Sequence, residues 1–290
     1  MNADDFGLTA GINRAIAELH RAGVLTSTTL MARAAATEEA IEMACATPSL
    51  GVGCHVVLVD GEPVLSARQR IPHLADPVTG RFQPKLPAFL RSLYRYGNPS
   101  RSFVREIEAE AAAQIDRLQS RGLCLTHIDT HKHTHMFPAV LRPVLRAARA
   151  AGIRAVRNPF ETQWSLRATP GAPWIRRTEV SLLRLLEPAF RRIVAEEGFT
   201  TTDGAVGVLA TGTLDAATIA LLASALPDGT FELVSHPGYN DADLAGAHTR
   251  LLASRETERE ALHALKQFPA IELISFAQFN PPEAGAQPLT

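Results

Sequence analysis

Cysteine is scarce. Cys45, Cys54 and Cys124 are the three in 290 residues, and none forms a CxxC pair. That excludes a disulfide framework and the usual thiolate zinc motifs, and it fits a reducing compartment with buried thiols. An excess of one charge is also missing: 29 Lys and Arg face 30 Asp and Glu, for a net charge of −1. No global basic field invites nucleic acid. No apolar run approaches the roughly 18 residues of a membrane span. The opening MNADDFG is acidic where a secretory leader would be basic. The expectation is a cytoplasmic protein. Solenoid repeats and long low-complexity tracts are absent, and only the tail, residues 281–290, has a composition that predicts disorder.

What is present is an ordinary globular composition, 46% hydrophobic and 20% charged, enough for a large core. In TAGINRAIAELHRAG, Ile12, Ile16 and Leu19 share one helical face, with Thr9 placed to cap and Gly23 to stop the helix. VLTSTTLMA, GVGCHVVLV, LCLTHIDT, IRAVRNP, GAVGVLAT, GTFELVSHP and AIELISFAQF read as strands. Helical patterns separate them, and Pro188 marks a kink or break in EVSLLRLLEPAFRRIVAEEG. Such alternation implies parallel strands joined by crossover helices. With a first strand ending in NAD, it predicts an α/β chain folded as a single (β/α) barrel of seven or eight parallel strands over residues 1–280. Strand counting leaves an open doubly wound sheet as the alternative. Only Met1, Asn2 and Ala3 precede DDFG. That is short for a barrel strand, so the expectation is a truncated strand or a start further upstream.

The polar residues fall at strand ends. THIDTHKHTHMFP holds His127, His131, His133 and His135, four of the chain's ten histidines, with Asp129 among them. A solvated tract would explain the cluster, but a metal site is the commoner reason. A strand would put these residues on one side, whereas a helix would align 127, 131 and 135; the β-branched neighbours favour the strand, with the helix starting near Pro138. Asp4 and Asp5 either cap the first helix or form a carboxylate pair. His55 is a core histidine or a ligand, and Cys54 should face away from it. His236 is a turn residue or a general acid. In a barrel, all of these lie on the carboxyl-end rim that carries the chemistry. Carboxylates and imidazoles without thiolate leave zinc, manganese, cobalt and magnesium open.

Taken in order, NADDFG, TSTTLM, GVGCHVVLVDGEPV, THIDTHKHTHMFP and SHPGYND resemble the YdjC-like carbohydrate deacetylases. HVVLVDGEPVL is most similar to their hopanoid biosynthesis-associated (HpnK) subfamily. The resemblance spans about residues 2 to 280. It implies a (β/α) barrel and removal of acetyl groups from N-acetylated sugars with one divalent ion, by family usage magnesium. It also implies Asp5, His55 and His131 as metal ligands, Asp4 as catalytic base and His236 as the acid that protonates the sugar amine. Lys132 interrupts the family's longer histidine run, which separates His133 and His135 from any implied role.

Two other function classes stay open: another metal-dependent hydrolase, such as a phosphoesterase or a cyclic amidase, and a non-catalytic sugar-binding protein. The first usually carries a glycine-rich nest or clustered basic residues beside its ligands, and the second needs neither Asp4 nor His236. Two basic, apolar stretches bear on partners. Arg81–Arg105 has six positive charges, no acid and five aromatics, and PWIRRTEVSLLRLLEPAFRRIV mixes Trp174 and leucines with five arginines. They are solvated faces packed on the barrel, or they make peripheral contact with an anionic membrane at its inner face. With the resemblance, that second reading makes the substrate an N-acetylglucosaminyl glycolipid, the headgroup of a hopanoid. A homodimer is left open.

Overall fold

The computed structural model describes residues 1–95, 97–247 and 249–279. Among them six strands form one parallel sheet: β1 (Asn2–Phe6), β2 (Ser27–Leu30), β3 (Gly51–Val56), β4 (Ile128–Thr130), β5 (Gly204–Val206) and β6 (Phe231–Ser235). Their order is β4-β3-β2-β1-β6-β5. Parallel neighbours cannot be joined by a tight turn, and every strand-to-strand connection carries at least one helix. The first is Ala10–Arg21, where Thr9 Oγ1 accepts from Ile12 N at 3.3 Å and Ile12, Ile16 and Leu19 are buried.

The sheet curls. Its outer strands are approached by one segment, residues 155–161, through single parallel bridges, Val156 with Ile128 of β4 and Glu161 with Ala205 of β5, while Ala155 bridges Thr200 just before β5. IRAVRNP was expected as a full strand, and the chemistry of its end explains why it forms only bridges. Pro159 has no N–H to give, and the Asn158 side chain replaces ladder bonds, donating to Thr202 O at 3.2 Å and accepting from Phe160 N at 3.1 Å. AIELISFAQF is not a strand either: Phe276–Phe279 is a short helix. β2 is already paired by β1 and β3, so the last segment has no edge to join. Side chains tie it instead, Thr26 Oγ1 to Ile274 O at 2.7 Å and Ser27 Oγ to Phe276 N at 3.0 Å.

The first strand is also longer than expected. It runs past Asp4 to include Asp5 and Phe6, and pairs Asn2 with Ser27 on one side and with Val234 on the other. The predicted break near Pro188 is present: helix Trp174–Leu183 ends, and helix Glu187–Glu196 begins with Pro188 in its first turn. The expected tail, residues 281–290, lies outside the described residues.

The long connection after β3 is pinned by one face of helix Arg101–Gln119. Glu106 accepts from His73 N and Leu74 N, both at 2.8 Å. Glu110 accepts from Val64 N at 2.7 Å and Leu65 N at 3.0 Å, and Gln114 bonds both backbone groups of Val57. A spacing of four keeps the three side chains on one face. Phe82, Phe89 and Phe103 of this region are core residues, so the first basic stretch turns its apolar side inward. No helix among the described residues is long and apolar enough to cross a membrane.

Candidate functional site

Adjacent residues of a regular strand point to opposite faces, which would separate Asp4 from Asp5. β1 escapes this by a bulge. Its pairing with β2 runs from Ala3↔Thr28 to Phe6↔Leu30, three steps against two, and Asp5 takes φ 65°. A left-handed non-glycine residue in a strand is strained, and bulges of this kind re-aim side chains. Both carboxylates are thereby buried in one polar cluster at the carboxyl end of the sheet.

On one side of that cluster, Asp5 Oδ1 lies 3.6 Å from His55 Nε2 and 3.5 Å from His131 Nδ1, and the two imidazole nitrogens are 3.2 Å apart. Three lone-pair atoms, from β1, β3 and the turn after β4, face one point, and this donor set suits a divalent cation. His55 is oriented from behind, its Nδ1 lying 2.8 Å from Asp129 Oδ1 and 3.2 Å from Thr29 Oγ1. Burial opposes a charge on His55, but Asp129, Asp4 and Asp5 outweigh it and raise its pKa to about 9.

Asp4, His55 and Asp129 form a second grouping of possible ligands, but a cation already sits there. The fully buried Arg157 donates to Asp4 through both terminal nitrogens, at 2.8 and 2.6 Å, to Asp129, and to Glu232 at 2.8 Å. Burial and the neighbouring Asp129 push the Asp4 pKa up, but Arg157 together with His55 and His236 outweighs them, so Asp4 stays ionised. Asp129 is held down in the same way.

His236 lies at the carboxyl end of β6. Its Nε2 is 3.7 Å from Asp4 Oδ2 and its Nδ1 is 3.7 Å from Glu258, whose carboxylate also accepts from His236 N at 2.6 Å. Burial disfavours the imidazolium, while Glu258, Asp4 and Asp5 outweigh burial and raise its pKa. The cluster thus places an ionised carboxylate beside a histidine biased towards its protonated form.

The structure therefore brings Asp4, Asp5, His55, His131 and His236 together. The rest of the histidine run splits. β4 stops at Thr130, and Lys132 and His133 are left-handed, φ 55° and 51°, inside a 3-10 turn, so neither regular alignment survives beyond that point. His127 is buried and stacked on Phe276 at 3.9 Å between ring centroids, with its pKa pushed down to about 3 by burial. His135 bonds Thr130 Oγ1 at 2.7 Å and Arg157 O at 3.1 Å. His133 Nδ1 has no partner among the described residues. Lys132 reaches Asp60 at 2.6 Å, pinning the connection after β3. Cys54 is buried with its thiol pKa pushed up, which removes it as a nucleophile.

Sequence reading passed over Arg157, Arg255, Glu258 and Glu232. Arg157 was within reach: the strand-end rule, applied to IRAVRNP, points to it. Arg255 and Glu258 carried no signal, because SRETERE reads as a solvated helix. An apolar cavity of about 480 Å³ lies beside Met1, Phe231 and Phe276 and includes none of Asp4, Asp5, His55, His131 or His236.

The profile of a family described as YdjC-like protein matches residues 1–268. A carbohydrate deacetylase of Brevibacillus brevis is 43% identical over 148 residues, 51% of this chain and 54% of that protein. The chain thus spans about half the length of that relative. A chitooligosaccharide deacetylase of Salmonella paratyphi B is 33% identical over 204 residues, 66% of this chain and 75% of that protein. A crystal structure named for cellobiose-phosphate cleavage, from Enterococcus faecalis V583, superposes with a TM-score of 0.74 at 24% identity and covers 96% of this chain and 97% of that one. That likeness concerns the fold alone.

Proposed function

The chain belongs to the YdjC-like protein family, and from that premise we propose that it is a metal-dependent N-deacetylase of N-acetylated amino sugars. The observation that carries the reading is the convergence of Asp5 Oδ1, His55 Nε2 and His131 Nδ1 within 3.2 to 3.6 Å of one another, beside Asp4 and His236. The names of the relatives supply the substrate class.

Asp5, His55 and His131 would hold the ion. When bound, it supplies Lewis acidity to a water molecule and to the acetamide carbonyl. Two imidazoles among three donors suit a borderline ion such as zinc or cobalt, while the family resemblance implies magnesium. Asp4, kept ionised by Arg157, accepts the proton of the attacking water. His236 delivers a proton to the sugar nitrogen as the C–N bond breaks, since an unprotonated amine is a very poor leaving group. Glu258 favours the protonated imidazole. Asp129 holds His55 Nδ1 and so turns Nε2 towards the ligand cluster. Acetate and a free amino sugar result. Residues 1–280 are read as one catalytic domain, a (β/α) barrel whose ring is closed by the segment 155–161.

The finer substrate reading is a membrane glycolipid, the N-acetylglucosaminyl headgroup of a hopanoid. It is supported by the HVVLVDGEPVL resemblance and by one surface. Trp174, Leu182 and Leu185 are 76%, 60% and 77% exposed on the segment that also carries Arg176, Arg177 and Arg184. Acetate release from N-acetylglucosamine oligomers, with and without a chelator, tests the reaction. Chelator-insensitive release, or none from any N-acetyl sugar, would remove the reading.

A further inference from the structure

A carboxylate has two oxygens, and in Asp5 they have different neighbours. Oδ1 faces His55 and His131. Oδ2 accepts from Arg255 Nη2 at 2.5 Å. Arg255 comes from helix Ala253–Ala261, at the other end of the chain, and it is fully buried.

The arginine is itself held rigidly. Its Nε donates to Leu251 O at 3.1 Å, and its carbonyl accepts from Gly238 N at 3.2 Å. A Cβ on Gly238 would come within 3.1 Å of Arg255 Cδ, so the loop after His236 lies directly on the side chain. Three residues further along the helix, Glu258 takes His236 N at 2.6 Å and Gly212 N at 3.1 Å. Residues three apart share a helix face. One face of one helix therefore grips the Asp5 carboxylate and the backbone of His236.

Asp5 needs such a grip. Its left-handed backbone, φ 65°, belongs to a strained bulge, and conformations of that kind persist only where their surroundings over-determine them. No side chain of β1's paired neighbours bonds the Asp5 carboxylate; Thr29 on β2 turns to Asp4 and Asp129. Among the described residues Arg255 makes the shortest contact to the Asp5 carboxylate, 2.5 Å against 3.5 Å for His131 and 3.6 Å for His55.

We propose that Arg255 is a positioning residue of the metal centre: by occupying Asp5 Oδ2 it fixes the strained carboxylate so that Oδ1 alone is presented between His55 and His131. The inference rests on the metal-centre reading above. Groups that orient a metal ligand from behind typically change affinity about 10–100-fold when removed. Arg255 makes this contact through one nitrogen, and its Nη1 has no hydrogen-bond partner among the described residues. A lysine can therefore replace part of the contact.

The test is titration of metal-free protein with zinc and with cobalt against a chromogenic chelator. The melting temperature is recorded with and without metal, and the cobalt absorption spectrum at saturation. Arg255→Met should bind about 10–100-fold more weakly, and metal should raise its melting temperature less than that of the wild type. Arg255→Lys should recover part of both and carry the test if Arg255→Met does not fold. An arginine with only a structural role would lower the metal-free melting temperature and leave affinity and the cobalt spectrum unchanged. That result in Arg255→Lys and in any folded Arg255→Met overturns the proposal. Failure of the wild type itself to bind either ion would overturn the metal-centre reading instead.

Discussion

Asp129 Oδ1 lies 2.8 Å from His55 Nδ1, on the side of the ring opposite the ligand cluster. An ionised carboxylate there holds the proton on Nδ1, so Nε2 is the nitrogen that gives up its proton to a metal ion. In Asp129→Asn the amide can donate to Nδ1 instead and turn the tautomer round. We expect metal affinity to fall about 10–100-fold, read by chelator competition, with the fold retained by circular dichroism.

The two carboxylates of β1 should separate by phenotype. Asp4 is tied to Arg157 by two bonds, and Asp5 faces the histidines. Asp5→Ala, His55→Ala and His131→Ala should each lose bound metal. Asp4→Asn should keep it and lose turnover by about 10²–10⁴-fold, the usual effect of a positioned base. Elemental analysis beside acetate release decides, and equal metal loss in Asp4→Asn and Asp5→Asn would reverse the assignment.

The raised pKa of His236 fixes a direction in the pH profile. An acid must be protonated to act, so activity falls as pH rises through its pKa. Glu258 raises that pKa, so Glu258→Gln lowers it and moves the alkaline limb of kcat/KM to lower pH. A limb that stays in place would show that another group sets it.

Gly53 is a packing position. A Cβ there would lie 2.6 Å from the His127 ring, which is stacked on Phe276 and has no room to retreat. Gly53→Ala should destabilise by about 1–3 kcal/mol through overpacking, measured by urea unfolding, with metal binding intact.

The exposed Trp174, Leu182 and Leu185 bear on the substrate's carrier. Arg176 and Arg184 are partly offset by Glu179 and Glu187 at 3.6 Å each, so binding to anionic liposomes should be weak and fall as salt rises. Trp174→Ala with Leu185→Ala should abolish co-sedimentation and leave turnover on free oligosaccharide unchanged. Absent liposome binding at every salt concentration, with free oligosaccharide the better substrate, would return the protein to soluble sugars.

By itself the sequence determined the alternation of strand and helix, and hence the parallel α/β class. Periodicity and helix caps are local signals, as Thr9 with Ile12, Ile16 and Leu19 illustrates. It also marked Asp4, Asp5, His55, His131 and His236, because polar residues at strand ends stand out against apolar runs. Their roles came with the family resemblance. Tertiary structure decided the rest. Whether AIELISFAQF becomes a strand depended on a free edge, a property of the sheet and not of the segment, whereas IRAVRNP met both outer strands and was held to single bridges by Asn158 and Pro159. Whether Asp4 and Asp5 share a site depended on a bulge that strand periodicity forbids. The buried partners Arg157, Arg255 and Glu258 came from segments that read as ordinary strand or solvated helix. A charge is stable in the interior only opposite its partner, and these partners lie from 22 to 250 residues apart in sequence. Only the tertiary fold brings them into contact.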